Sequence, residues 1–148
     1  PANFNGYNVI QPNDIVLRFT DLQNDKRSLR TGLSHERGIV TSAYVTISSR
    51  PGQFAPYHHY LLHSYDVMKV FYNMGDGVRQ SLNFNEFSKV PLLVPPLVEQ
   101  QRIAVYLDEK VSVVDGIISL KQEQLTKLAD YKKSLIFEYV TGKKEVPA

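Results

Sequence analysis

From Leu97 onward apolar residues recur every three or four positions, with no gap long enough for the backbone to reverse easily. Pro95-Pro96 opens this stretch and Gly142 closes it, the usual punctuation of a helix. With heptad position a at Ala104, Val111, Ile118, Leu125, Lys132 and Tyr139, position d falls at Leu107, Val114, Lys121, Leu128 and Leu135. Only the lysines break the seam, and their stems can lie on apolar surface while the amines reach water. A seam of this kind argues for a coiled coil. Glu99 in the first turn and Lys143-Lys144 past the end suit the helix dipole. A continuous Leu97–Val140 helix spans roughly 65 Å at about 1.5 Å per residue. It outruns any domain that the preceding residues can build. Something else must therefore cover the stripe Leu107, Val111, Val114, Ile118, Leu125, Leu128 and Leu135. Asp115-Gly116 is the weak point, since glycine costs about 1 kcal/mol in a helix. The alternative to a rod is a hairpin folded back there, which needs a very tight loop.

Composition excludes several classes. Cysteine is absent, so there is no disulfide framework and no thiolate metal site. This fits a reducing cytoplasm, the expected location. No run approaches the roughly 18 apolar residues of a membrane helix, and the N-terminus lacks a signal pattern. Pro1 is not a natural translation start, which suggests a trimmed chain or a piece of a longer one. The net charge of +2 says little; its distribution says more. Between Arg18 and Arg50 lie Arg18, Lys26, Arg27, Arg30, Arg37 and Arg50 against Asp21, Asp25 and Glu36. Arginine suits bidentate contact with phosphate and guanine edges; the plainer reading is a solvated surface.

Val9-Ile10 and Ile15-Val16-Leu17 flank Pro12-Asn13-Asp14, which predicts two strands around a turn. Asp21 to Gly32 is polar and predicts an exposed loop. Gly38 to Ile47 alternates around β-branched residues and predicts one strand. A helix is expected from about Tyr57 to Asn73, stopped by Gly75-Asp76-Gly77. A short helix is expected over Phe84–Lys89, and Val90–Val94 is expected to be a strand or extended. The fold class is α+β: a small mixed β-rich domain over residues 1–94, a long coiled-coil-forming helix over 95–142, and a tail over 143–148.

These residues resemble a known family. Pro95-Pro96-x-x-Glu99-Gln100-x-x-Ile103, Leu107-Asp108, Lys133-Ser134-Leu135-Ile136 and Val140-Thr141-Gly142 are similar to the spacer-helix region of the DNA specificity subunit of type I restriction–modification enzymes. Asn13-Asp14-Ile15-Val16-Leu17 resembles that family's strand entry, with Asn13 where glycine is commoner. Gly38-Ile39-Val40-Thr41-Ser42-Ala43-Tyr44 resembles the strand motif inside its target-recognition domains, and the chain as a whole resembles the C-terminal such domain with its spacer helix. Gly75-x-Gly77-x-Arg79-Gln80-x-Leu82 resembles the turn before the spacer helix. The resemblance implies a non-catalytic subunit with no cofactor of its own, reading one half of an interrupted double-stranded DNA site. It implies modification subunits, which hold S-adenosylmethionine and methylate adenine, docked on the helices, and a restriction subunit reached indirectly. It also implies a second spacer helix packed antiparallel, from the same subunit or from a homodimer mate. This chain departs from the pattern in having one recognition domain, which looks short at its N-terminal side. As a half-subunit it would pair two-fold and read a palindrome.

The loop Arg18–Arg30 is the leading candidate for base reading, through Arg18, Thr20, Asp21, Gln23, Asn24 and Arg27. Gln and Asn suit adenine, Arg suits guanine, and Asp accepts from cytosine; Lys26 or Arg30 would set register on phosphate. The plain alternative is a polar loop with internal ion pairs. Arg79-Gln80-Ser81, after a glycine turn, and Ser42 and Tyr44, on a predicted strand, are further candidates. His59 and His63 stand one helical turn apart, a spacing that metals use. Tyr60 stands where a catalytic zinc motif needs glutamate, so no metal site is expected. A rival reading is a small methyltransferase or nuclease fragment. Val94 before Pro95-Pro96 and Leu97 after it do not make an amino-methyltransferase motif. A third reading is a coiled-coil adaptor that does not bind DNA.

Overall fold

The computed structural model describes residues 5–24, 27–74 and 81–147. It is α+β: five short strands in two antiparallel sheets, short helices, and one long C-terminal helix. The strands are β1 (Tyr7–Ile10), β2 (Ile15–Leu17), β3 (Thr31–Leu33), β4 (Gly38–Thr41) and β5 (Val45–Ile47). Helix α1 is Ala55–Val67, α2 is Phe84–Phe87 and α3 is Leu97–Val140. Two compact units divide within α3, as residues Pro1–Val105 and Tyr106–Ala148.

Strands β1 and β2 do not pair with each other, although the turn between them forms. Asn13 takes a left-handed backbone (φ 70°) there. The buried Asp14 carboxylate accepts from the Gln11 N–H at 2.7 Å and from Ser48 Oγ at 2.6 Å. β1 then pairs with β4, while β2 is the centre of β3–β2–β5. The predicted Gly38–Ile47 strand is thus two strands in two sheets, broken by a turn at Ser42-Ala43-Tyr44. The predicted exposed loop is also corrected: Leu22, in a 3-10 turn over Leu22–Asn24, is fully buried, and β3 begins at Thr31. The helix predicted to Asn73 ends at Val67, followed by a 3-10 turn over Val70–Asn73.

The core lies where β2 meets α1, α2 and the 3-10 turns. Ile15 and Leu17 alternate inward from β2 and meet Leu22, Leu62 and Leu82. Phe19 is the aromatic hub, with ring centroids 5.5 Å from Phe71 and 4.8 Å from Phe87. Edge and tilted geometries of this kind add to what area burial supplies. Helix α2 is held by a capping box, in which Asn83 Oδ1 accepts the Glu86 N–H and Glu86 returns the bond. Val90–Val94 joins no sheet: Val90 lies in a bend, and the Tyr65 and Tyr57 hydroxyls donate to the carbonyls of Pro91 and Leu93, each at 3.0 Å. Burial, with Tyr65 nearby, pushes the Tyr57 hydroxyl above its ordinary pKa.

Gln100 ties the start of α3 to the start of α1. Its side chain is 1% exposed; Oε1 accepts from the Phe54 N–H at 2.9 Å and Nε2 donates to the Pro95 carbonyl at 2.8 Å. Helix α3 runs unbroken for all 44 residues of Leu97–Val140, through Asp115-Gly116. A Cβ at Gly116 would meet open space. Gly116→Ala is therefore expected to stabilise α3 by about 0.5–1 kcal/mol, read as a higher midpoint of the helix signal in thermal unfolding.

The C-terminal end of α3 is closed by Gly142 in the left-handed region (φ 71°) and by Lys144, whose backbone N–H reaches the Glu138 carbonyl at 3.0 Å. Lys144 Nζ also lies 2.6 Å from Glu138 Oε2. Hydrogen bonding to Lys144 holds the Glu138 carboxyl below its ordinary value, and the same contact pushes the Lys144 ammonium up. A depressed carboxyl stabilises above its unfolded value and loses that effect as pH falls through its folded one. A raised ammonium stabilises below its unfolded value and loses it as pH rises through its folded one. Amide protection in the last turn should therefore fall on acidification through the carboxylate range, and Lys144→Ala should remove that response in hydrogen-exchange measurements.

Candidate nucleic-acid interface

The candidate surface builds from the strand register. Leu17 stands opposite Thr31 on one side and Val45 on the other. One step further, Arg18 faces Arg30, its N–H donating to the Arg30 carbonyl at 2.9 Å. The same step brings Tyr44 to this end of the sheet, where its carbonyl accepts from Asn8 Nδ2 at 3.3 Å. Then Phe19 accepts from the Leu82 N–H at 3.0 Å, bringing Ser81 alongside. Three segments far apart in sequence thus converge at one end of β3–β2–β5: residues 18–24 with 27–30, residues 42–44, and residues 81–82.

Within this patch Arg18, Asn24, Arg27, Ser42 and Ser81 are exposed, while Thr20, Asp21 and Tyr44 are half-buried. Arg18 Nε lies 3.4 Å from Thr20 Oγ1, and Asn24 Nδ2 donates to Asp21 Oδ1 at 2.7 Å. The Gln23 side chain, Lys26, Arg79, Gln80 and the Gly75-Asp76-Gly77 turn lie outside the described residues.

Arg30 differs from the phosphate contact expected of it. It is 8% exposed, and its guanidinium donates to the carbonyls of Thr20 and Asp21. Bonds to backbone carbonyls make it the strut of the loop. Its own N–H goes to Asp66 Oδ2 at 2.9 Å, and Asp66 Oδ1 accepts from the Tyr72 hydroxyl at 3.1 Å. Sequence reasoning missed both Asp66, fully buried on α1, and Gln100. A lone acid among Tyr65, Val67 and Met68 was the available signal.

Helix α3 carries the second set of candidates. Val111, Val114, Ile118, Leu125 and Leu128 are 42–66% exposed, and Leu107 and Leu135 are half-buried. Tyr106, Val113, Ile117 and Leu120, on the neighbouring c and g positions, are also exposed and widen the apolar sector beyond the a/d seam. The heptad reading overlooked them because it scored only two positions in seven.

Other chemistry is sparse. The His59 and His63 rings stack with centroids 6.4 Å apart, and no group of three metal-ligating side chains occurs among the described residues. His58, buried, shares its Nδ1 with the Phe54 carbonyl at 3.1 Å, and its Nε2 has no partner. Ser48, on the same small cleft, gives its hydroxyl to Asp14 instead. No helix among the described residues is long and apolar enough to cross a membrane. No family model and no curated protein matches the chain.

Asp66→Ala should strip the buried Arg30 N–H and the half-buried Tyr72 hydroxyl of their shared acceptor. The expected cost is about 3 kcal/mol, measured as a lowered midpoint in urea.

Proposed function

We propose that this chain is a non-catalytic DNA-reading module of the type I restriction–modification class, recognising one half-site of double-stranded DNA. The observation that carries this reading is the convergence of residues 18–24 and 27–30 with 42–44 and 81–82 into one polar, arginine-bearing patch. Exposed Arg18 and Arg27 would engage phosphate or guanine, while Asn24, Ser42 and Ser81 would offer hydrogen bonds to base edges. The loop is stiffened by Arg30 from within, so its side chains lose less freedom when DNA arrives. In this reading α3 is a ruler and a docking surface: its a/d seam takes a second spacer helix, and its c/g stripe leaves area for a modification subunit. S-adenosylmethionine and the methylation of adenine belong to that partner.

The test is selection from a pool of randomised duplexes by the full chain with its modification partner. Enrichment of one short motif is expected, with affinity falling steeply as salt rises through counterion release. Arg18→Ala should weaken binding about tenfold and reduce the salt slope by about 1. Absence of any enriched motif, with self-association intact, would instead favour the adaptor reading.

A further inference from the structure

Lys69 follows the C-cap of α1 and takes a left-handed backbone, φ 60° and ψ 27°. Glycine is the residue that tolerates this position without a steric penalty. What lysine adds is its ammonium. Nζ lies 2.8 Å from Ser28 Oγ and 3.0 Å from the Tyr72 hydroxyl, 4.2 Å from the centre of the Tyr72 ring. Ser28 sits in the polar loop and is itself left-handed, φ 53°. A strained residue at the end of α1 therefore holds a strained residue in the loop, across 41 positions of sequence.

The grip is doubled. The Tyr72 hydroxyl accepts from Lys69 and donates to Asp66, which also accepts the Arg30 N–H. One network fixes the loop at Ser28 and at Arg30. Backbone strain retained where glycine would relieve it points to a role beyond stability. We propose that Lys69 is a positioning residue: it sets the conformation of the Arg27–Arg30 segment, and through it the presentation of Arg27 and the loop to DNA. The second half of this statement rests on the DNA-reading function proposed above.

Lys69→Gly separates the two roles, because it removes the ammonium and the strain together. The melting temperature should stay unchanged or rise by about 2 °C. Amide exchange across Arg27–Arg30 should accelerate about tenfold. Preference for the selected duplex over an unrelated duplex of equal length should fall about tenfold, with binding to the unrelated duplex unchanged. Lys69→Met, which keeps the strain and the stem, should release the loop likewise without raising the melting temperature. A lowered melting temperature in Lys69→Gly with unchanged exchange overturns the proposal, and so does faster exchange with unchanged duplex preference. If the wild-type chain selects no duplex, the DNA reading has failed, and the exchange measurement alone decides whether Lys69 sets the loop.

Discussion

An uncovered apolar stripe on a 44-residue helix is the constraint to which the rest of this chain answers. Burying apolar area yields about 25 cal/mol per Å². Within the Tyr106–Ala148 unit, the side chains Val111, Val114, Ile118, Leu125 and Leu128 forgo that gain. In proteins most of a helix's stability comes from packing its apolar face rather than from propensity. Another helix laid along the seam, as proposed above, would recover that gain. Val113, Ile117 and Leu120 on the flanking positions are exposed as well.

The globular part answers a different requirement, a rigid platform for a polar loop. Phe19 serves both sides of it. Its ring anchors the Phe71–Phe87 cluster, while its carbonyl takes the Leu82 N–H and draws the 81–82 segment beside the loop. Arg30 braces the loop from within, Asp66 and Lys69 hold it to α1, and Gln100 locks α1 to the first turn of α3. A buried polar network of this kind rigidifies only when its members are satisfied, and the bonds of Asp66 meet that condition on both oxygens.

Much of this was legible in the sequence because it depends on local period. The long helix, the short helix at Phe84 and the strand at Ile15 follow from spacing and turn residues. What escaped depends on partners distant along the chain. Gly38–Ile47 keeps one alternating pattern across Ser42, yet its halves join different sheets, and alternation carries no information about which strand is adjacent. Asp21–Gly32 reads as solvent-facing because its residues are polar, whereas Leu22 is buried and Arg30 turns inward to carbonyls. A charged side chain looks the same in sequence whether it faces water or braces a loop. Gln100 stood within a recognisable motif, but its bond to Phe54 crosses 46 positions and only the folded chain displays it.

The most direct test of the account is sedimentation of the full chain at tens of micromolar, beside the variant Ile118→Lys. The account predicts a self-associated species for the wild type, its exposed seam meeting that of a second copy, and a monomer for the variant. A wild-type chain that sediments as a monomer across the whole concentration range, with α3 intact by circular dichroism, would contradict it.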